Sequence, residues 1–465
     1  MPTDPRGLRS DAPLLDAWLR FQEDRPTPFT IPGHKQRTDL VGDVVAGDVP
    51  LYAGLDTMKL SRGVLAEAES RAASLWGADF CRFSTGGSTH ANQAVALAVA
   101  GDGDEVIVSR TLHRSLLLGL VLAGLTPVWV RPEVDPATGL PMGVSPQTVR
   151  EALVEHPAAR AVFIGDPSYV GTVGDIAGLA TVAHQFGVPL VVDAAWAAHF
   201  GFHPDLPRHP LQLGADVMVT SAHKTLPAWS QAALVLARTE RVDPARLEAG
   251  VEATATTSPA GAMLASIDAA RALLERDGRA LLDGAIKATR AVRDRLLEIE
   301  SLSVLDGPTV DPLKLTLVLS GTGADGNAVE RDLLAAGLPV ESADRDVLVG
   351  VVSLADTAET LTAFGTALSA SIERHRGAPR TIEGPAAYRV RPPRLRGRPS
   401  SRARPACRST TLSAALPPSL LRPIRRASRC SRQASGSPAR RLVLSGTLEK
   451  RAYGSRTRRT RRSPP

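Results

Sequence analysis

The stretch ADVMVTSAHKTLP, residues 215–227, joins an uninterrupted apolar run to a small polar cluster. A run without polar alternation is typical of a β-strand that is buried on both faces. Ser221, His223 and Lys224 follow at the carboxyl end of the run. Ligands of open parallel sheets bind beyond the carboxyl ends of the strands, so this stretch indicates both the fold and the place of the chemistry.

Similar runs recur along the chain and alternate with helical patterns such as ANQAVALAVA and IAGLATVAHQFG. The predicted strands lie at residues 105–109, 127–130, 161–165, 188–194, 216–221 and 232–237. This alternation predicts an α/β fold with a mostly parallel sheet and helices on both faces. A long helical pattern follows at residues 265–300, with a predicted break near Asp277 and Gly278, and later apolar runs at 313–321 and 347–354 predict a smaller α/β unit.

Charge is distributed unevenly along the chain. The whole sequence has a net charge of +7, but residues 386–465 contain 21 Arg, one Lys and one Glu, which gives this segment +21. Residues 1–385 hold 33 basic and 47 acidic side chains and carry −14. The basic segment is rich in Pro and Ser and lacks a periodic apolar pattern, so we expect it to be disordered. It is suited to binding nucleic acid or another polyanion, and it also has the composition of a GC-rich gene read out of frame.

Composition excludes several classes of protein. The chain has 465 residues, of which 43% are hydrophobic, and no apolar run approaches the ~20 residues that a membrane span needs. The amino terminus lacks a signal-peptide pattern. Cys81, Cys407 and Cys430 are too few and too scattered for a disulfide framework or a cysteine zinc site, so we expect a cytoplasmic protein without a metal centre.

Two strand ends carry the most reactive candidates. Lys224 follows a buried strand, where desolvation lowers the pKa of an amine and favours its nucleophilic form. Asp193 ends the strand pattern VPLVVDA, where a buried carboxylate needs a cationic or hydrogen-bonding partner. Taken singly, a loop lysine is usually exposed to solvent and such an aspartate also fits a helix cap.

Two further segments supply polar groups. FSTGGSTHANQAV predicts a loop that opens a helix, where Ser88 and Thr89 offer hydroxyls beside free backbone N–H groups, a generic phosphate site that an ordinary helix cap also resembles. His113 follows the strand at residues 105–109 and is suited to stacking on an aromatic ring, although a loop histidine is often only a surface residue. Together with Lys224 and Asp193, these groups predict a site for pyridoxal phosphate.

Over about residues 14–375 the chain resembles the Orn/Lys/Arg decarboxylase family of fold-type I pyridoxal-phosphate enzymes. The similar segments are TPFTIPGHKQ, GLDTMKLSRGVLAEAE, FSTGGSTHAN, SRTLHRSLLLGLVLAG, GDPSYVGTVGDI, VVDAAWAAHFGFHP, ADVMVTSAHKTLPAWSQAA and TTSPAGAMLASIDAAR. The resemblance implies four parts, namely an N-terminal arm (1–60), a cofactor-binding large domain (61–285), a small α/β domain (286–378) and the basic tail (379–465).

The resemblance also implies roles for individual residues. Lys224 would form the Schiff base with the cofactor, Asp193 would pair with its ring nitrogen, and His113 and Ala195 would pack on its two faces. The phosphate would be held by Ser88, Thr89, Ser221 and His223. The arm around residues 32–35 would pack near the active site of a dimer partner, and residues Glu341 and Asp344 match a family segment but also fit a surface loop.

The implied activity is decarboxylation of arginine, lysine or ornithine, which would feed polyamine metabolism. An aminotransferase or aldolase-like enzyme of the same fold and a non-catalytic protein that binds polyanions through the tail stay as alternatives. Asp166 and Ser168 depart from the family pattern, and the basic tail replaces the family's carboxy-terminal domain. We attribute the tail to a frame disruption near residues 380–395 and expect weakened turnover.

Overall fold

The computed structural model describes residues 3–24, 29–49, 55 and 63–381. The predicted disorder of the tail concerns residues that lie almost wholly outside these ranges, as does part of the predicted arm. The described residues belong to one compact unit. Within them, no helix is both long and apolar enough to cross a membrane.

A seven-stranded sheet forms the centre of the molecule. Its strands are β1 (Phe80–Ser84), β2 (Glu105–Ser109), β3 (Thr126–Val130), β4 (Val162–Gly165), β5 (Leu190–Asp193), β6 (Val217–Ser221) and β7 (Ala233–Ala237). The spatial order is β1-β7-β6-β5-β4-β2-β3. Strands β2 to β6 are parallel, whereas β7 is antiparallel to both of its neighbours. The six predicted strands are confirmed with small differences at their ends.

Helices cover both faces of the sheet and also pack around the second part of the described chain. They are α1 (Pro13–Asp24), α2 (Thr38–Val41), α3 (Val64–Trp76), α4 (Gly87–Val99), α5 (Arg114–Leu122), α6 (Pro146–Glu155), α7 (Ile176–Gln185), α8 (Ala222–Thr225), α9 (Pro244–Thr254), α10 (Gly261–Leu297), α11 (Gly326–Ala335) and α12 (Ala358–Arg374). Local capping explains several starts: Ser145 accepts the backbone N–H of Thr148 and Asp175 that of Gly178, as preferred N-cap residues do.

The predicted break at Asp277 and Gly278 is wrong, because both residues lie inside the uninterrupted 37-residue helix α10. A glycine inside a helix costs about 1 kcal/mol relative to alanine. Burial of the apolar face, including Leu274 and Leu282, outweighs that cost. Gly278 also packs tightly, since a Cβ there would lie 2.9 Å from Leu274 Cδ1.

Strand β1 was not predicted, because its sequence FCRFS is interrupted by an arginine. The charge of Arg82 is neutralised in place: Nη1 lies 3.3 Å from Glu69 Oε2 and Nη2 lies 2.5 Å from Glu248 Oε2. Tertiary ion pairing thus lets this edge strand hold a charge that the apolar pattern alone would exclude.

A second sheet contains four antiparallel strands in the order β10-β11-β9-β8. They are β8 (Ser303–Val304), β9 (Lys314–Val318), β10 (Ser342–Ala343) and β11 (Val347–Val351). The loop after β4 contacts this sheet, because Thr172 forms a bridge with Val310 and Thr316 Oγ1 donates to the Val170 carbonyl at 2.8 Å. The second sheet therefore brings β9 beside the carboxyl edge of the large sheet. The domain boundaries at residues 60, 285 and 378 stay predictions.

Candidate active site at the carboxyl edge of the large sheet

Lys224 lies on the one-turn helix α8, directly after β6, and is half-buried. Its Nζ is 4.0 Å from the centroid of the Trp196 ring. Burial lowers the pKa of Lys224, while the negative charges of Asp193 and Glu341 oppose that shift. A lower pKa increases the fraction of uncharged amine near neutral pH, which is the form that attacks a carbonyl.

Asp193 ends β5 and is 6% exposed. Its Oδ2 accepts a hydrogen bond from Asn92 Nδ2 at 2.8 Å, but its buried Oδ1 has no hydrogen-bond partner in the described part of the chain. Burial raises the pKa of Asp193, against the Asn92 bond and the charges of Lys224 and His113. A buried carboxylate oxygen without a donor is costly, and a protonated ring nitrogen would satisfy it.

A hydrogen-bonded chain joins Asp193 to His113. Asn92 Nδ2 also donates to Ser115 Oγ at 3.1 Å, and Ser115 Oγ lies 2.8 Å from His113 Nδ1. His113 caps α5, where its Nδ1 accepts the backbone N–H of Ser115 at 3.3 Å. Since Nδ1 is the acceptor, we assign the ring proton to Nε2. Desolvation lowers the pKa of His113, which keeps the ring neutral near pH 7.

Asn92 was missed in the sequence, although a signal for it exists. An asparagine in the second turn of a helix built from small apolar residues is unfavourable for the helix itself. It also stands four residues after Ser88, so the two side chains share one face of α4. Ser88 and Asn92 are both buried there.

The predicted phosphate residues surround the start of α4 and the end of β6. Buried Ser88 and Ser221 place their Oγ atoms 2.5 Å apart. Thr89 is exposed, and His223 Nδ1 donates to the Ala232 carbonyl at 2.8 Å. Gly87 adopts φ +70°, which favours glycine and lets its N–H bond to the Gln231 carbonyl at 2.8 Å. Hydroxyls beside the free N–H groups of a helix N-terminus suit an anion.

Ala195 is buried two residues after Asp193, and its carbonyl accepts the backbone N–H of Ser221 at 3.4 Å. This bond fixes the ends of β5 and β6 relative to each other. The structure thus brings together Lys224, Asp193, Ala195, Ser221 and the start of α4 at one edge, with His113 linked to them through Ser115 and Asn92.

An aromatic and charged cluster that sequence reasoning missed lies beside Lys224. Tyr169 and Trp196 meet edge to face, with ring centroids 5.7 Å apart. The Tyr169 hydroxyl donates to Glu341 Oε1 at 2.8 Å, which ties the small sheet to this edge. Lys314 Nζ lies 3.3 Å from the Trp196 ring centroid. Of the two acids noted in the sequence, only Glu341 joins this cluster, because Asp344 Oδ1 accepts backbone N–H groups of its own turn.

Asp166, one residue beyond β4, is buried next to this edge. Its Oδ2 accepts the Gly174 N–H at 2.6 Å, and its own N–H donates to the Asp193 carbonyl at 3.1 Å. Burial raises the pKa of Asp166 to about 7. The neighbouring departure from the family pattern, Ser168, bonds to Thr172 Oγ1 at 2.6 Å and closes the loop after β4.

The arm segment is bent at residues 32–36. Lys35 and Gln36 both have positive φ, and His34 Nε2 lies 3.2 Å from Asp48 Oδ2. Its predicted contact with a partner subunit stays a prediction.

The strand order, the single antiparallel strand β7 and a lysine–aspartate site at the carboxyl edge define a fold-type I architecture. The structure is similar to the lysine decarboxylase LdcF of Francisella novicida (TM-score 0.68, 20% identity), covering 77% of this chain and 59% of that one. It is also similar to the constitutive lysine decarboxylase of Escherichia coli (TM-score 0.67, 21% identity), covering 78% of this chain and 60% of that one. The ureidoglycine–glyoxylate aminotransferase of Bacillus subtilis shares the fold more distantly (TM-score 0.57, 14% identity), and the match covers 71% of this chain and 90% of that one. The chain thus spans about three fifths of the solved lysine decarboxylases.

Comparison with known sequences identifies the family within this fold class. Residues 12–311 match the family model described as Orn/Lys/Arg decarboxylase, major domain. The arginine decarboxylase of Bacillus subtilis is 31% identical over 337 residues, 69% of this chain and 69% of that protein. The arginine decarboxylase of Bacillus cereus is 30% identical over 364 residues, which cover 75% of this chain and 79% of that protein. This chain belongs to the Orn/Lys/Arg decarboxylase family.

Proposed function

We propose that this protein decarboxylates a basic amino acid, arginine, lysine or ornithine, to the corresponding amine with pyridoxal phosphate as cofactor. The observation that carries the proposal is the presence, at one sheet edge, of the Lys224 amine against the Trp196 ring and of the buried Asp193 carboxylate, whose Oδ1 has no hydrogen-bond partner among the described residues. Family membership and the names of the relatives support this choice of reaction.

The site residues fit the cofactor. Lys224 would hold its aldehyde and Asp193 Oδ1 its protonated ring nitrogen. His113 and Ala195 would lie on the two faces of the ring. The phosphate would be bound by Ser88, Thr89, Ser221 and His223. When bound, pyridoxal phosphate supplies an electron sink for the pair left behind as carbon dioxide departs.

The residues of the chain then have three tasks. Asp193 would keep the proton on the ring nitrogen: burial raises the pKa of this carboxyl, the Asn92 bond opposes that shift, and the protonated ring nitrogen would supply the positive charge that favours the ionised carboxylate. Trp196, whose ring centroid lies 4.0 Å from Lys224 Nζ, would shield that side of the amine from water. The pocket as a whole would fix the orientation of the bound substrate, so that the bond to its carboxylate is positioned for cleavage.

The further parts of this proposal concern the cellular setting. The product amine would feed polyamine metabolism in the cytoplasm, and the protein would act as a homodimer or larger homo-oligomer. Replacement of the family's carboxy-terminal domain by the tail would weaken turnover without removing the cofactor site.

The test combines spectroscopy with product analysis. Purified wild type loaded with pyridoxal phosphate is expected to show the visible absorbance of the lysine-bound cofactor, and Lys224→Ala is expected to lose it. Lys287→Ala is the matched control, because Lys287 is an exposed lysine paired with Asp283 at 2.7 Å. Carbon dioxide release from arginine, lysine or ornithine supports the proposal. Keto-acid formation instead would assign an aminotransferase, and absence of the visible band would refute the cofactor site.

A further inference from the structure

Lys314 is a buried lysine that the proposed mechanism does not use. It begins β9, is 2% exposed, and its Nζ has no hydrogen-bond partner in the described part of the chain. The ammonium lies 3.3 Å from the Trp196 ring centroid and 5.8 Å from that of Tyr169. A buried charge without a direct partner is costly, so its retention points to a ligand of opposite charge.

The surrounding backbone is built to accommodate this side chain. Gly171 has φ +88°, and a Cβ there would lie 2.7 Å from both Cβ and Cγ of Lys314. The Gly171 carbonyl accepts the Asp311 N–H at 2.8 Å, and Thr316 Oγ1 bonds to the Val170 carbonyl. The loop after β4 therefore closes around the lysine stem and fixes the position of its ammonium.

The charges of Asp311 and Glu341 attract the Lys314 ammonium, but among the described residues neither carboxylate forms a hydrogen bond with it. Asp311 Oδ1 lies 3.2 Å from His199 Nε2 and accepts the Leu313 N–H at 3.0 Å. Glu341 Oε1 accepts the Tyr169 hydroxyl. Burial lowers the pKa of Lys314 to about 8, so the ammonium is still the major form at pH 7.

The position of the Lys314 ammonium beside Lys224 indicates which anionic group it would bind. The Nζ atoms of Lys314 and Lys224 both lie over the ring of Trp196, at 3.3 and 4.0 Å from its centroid. The α-amine of a bound amino acid would occupy the place of the Lys224 amine, and its α-carboxylate would be attached to the carbon that carries this amine. The carboxylate would thus lie within a few bond lengths of that nitrogen and close to Trp196, the ring that Lys314 also contacts.

We propose that Lys314 binds the α-carboxylate of the amino acid substrate. The assignment rests on the proposed function and adds a subsite to it. The Lys314 ammonium would bind the carboxylate before the bond is cleaved and would gain no further interaction when carbon dioxide leaves. It would therefore stabilise the substrate complex rather than the transition state. Its removal is therefore expected to raise KM about tenfold or more without lowering kcat, because losing an interaction made only before bond cleavage does not raise the barrier from the bound state.

The direct test uses two ligands that differ in the carboxylate. 6-Aminohexanoate has a carboxylate and a distal ammonium but no α-amine, and pentane-1,5-diamine is decarboxylated lysine. Calorimetric titration of the cofactor-loaded protein is expected to show that Lys314→Met weakens 6-aminohexanoate about tenfold and changes the diamine less than about twofold. Lys314→Gln, which keeps the polar tip, is expected to behave alike. Lys287→Met is the control.

The outcomes separate this inference from the proposed function. Equal weakening of both ligands would assign Lys314 a merely structural role and overturn the inference. Unchanged affinity for 6-aminohexanoate in both Lys314 variants would also overturn it, while the visible band and carbon dioxide release of wild type would still support the decarboxylase. A wild type that lacks the visible band would overturn the proposed function itself.

Discussion

Two buried aspartates, Asp193 in the large sheet and Asp268 in α10, differ in how completely the protein satisfies them. Asp268 Oδ1 accepts Arg271 Nη2 at 2.6 Å and Nε at 3.2 Å, and its Oδ2 accepts the Leu14 N–H at 2.8 Å. Asp193 Oδ2 accepts the Asn92 bond, whereas its buried Oδ1 has no hydrogen-bond partner among the described residues. Burial raises the pKa of both carboxyls. The pKa direction therefore does not distinguish a structural acid from a functional one, whereas the count of satisfied oxygens does.

The largest expected effect is the loss of activity in Asp193→Asn. The neutral amide no longer favours a proton on the ring nitrogen, so kcat/KM is expected to fall about a thousandfold. The free energy of unfolding of the cofactor-free protein should change by less than about 1 kcal/mol, because the carboxylate is already incompletely satisfied. Steady-state kinetics and urea unfolding measure both quantities. Near-normal turnover would show that Asp193 is a structural acid like Asp268.

Asp268→Asn is the opposite experiment. Among the described residues it leaves the buried guanidinium of Arg271 with the exposed Glu275 as its one charged partner, so the free energy of unfolding is expected to fall by about 3 kcal/mol. Carbon dioxide release per folded molecule should remain within about twofold of wild type, as the site is elsewhere. Urea unfolding followed by circular dichroism is the measurement. A stability loss below about 1 kcal/mol would contradict the contrast between the two aspartates.

Asp166, a third buried aspartate, makes the free energy of unfolding depend on pH. Its pKa is 3.8 in an ordinary environment and about 7 in the fold, so between these values only the unfolded chain has released the proton. Raising the pH through this window favours the unfolded state and lowers stability, and the effect is complete above pH 7. Asp166→Asn is expected to remove this slope and to be more stable by about 2 kcal/mol at pH 8.

The check on Asp166 is a set of unfolding curves from pH 4 to pH 8 for wild type and variant. Parallel curves would refute the assigned pKa direction. Asp344→Asn is a suitable second variant, because its carboxylate caps a surface turn and should not change the slope.

Asn92→Ala is expected to have the smallest effect. It removes the bond to Asp193 Oδ2 and the link to Ser115, so kcat should fall about tenfold, as for one charge-assisted hydrogen bond. The visible absorbance of the bound cofactor should also shift toward the form with a less protonated ring. Gln93→Ala, on the neighbouring position of α4, is the control. An Asn92 variant with normal kcat and spectrum would show that Asp193 needs no positioning partner.

The sequence predicted the inner strands β2 and β4 to β7 of the large sheet because both of their faces are buried and their apolar runs are continuous. It missed β1, where the charge of Arg82 is satisfied only by residues distant in sequence, and it placed a false break in α10, where burial outweighs the cost of Gly278. Local pattern alone does not contain these tertiary contributions.

The candidate site was likewise only partly predictable. Lys224, Asp193 and Ser221 stand at strand ends, so the topology of a parallel sheet brings them together. Lys314 is 90 positions after Lys224 in an ordinary strand pattern, and only the packing of β9 against the loop after β4 places it there. Asn92 is intermediate, since its unfavourable place in a helix marks it but its partner Asp193 does not follow from sequence.

Peptide mass mapping tests the central claim, that one lysine at this edge holds the cofactor, most directly. The full-length protein is loaded with pyridoxal phosphate, reduced with borohydride, digested and analysed. The account predicts that the added cofactor mass lies on Lys224, with none on the neighbouring Lys314 or on the exposed Lys287. Attachment to Lys314 in place of Lys224, or the absence of any labelled lysine, would contradict it.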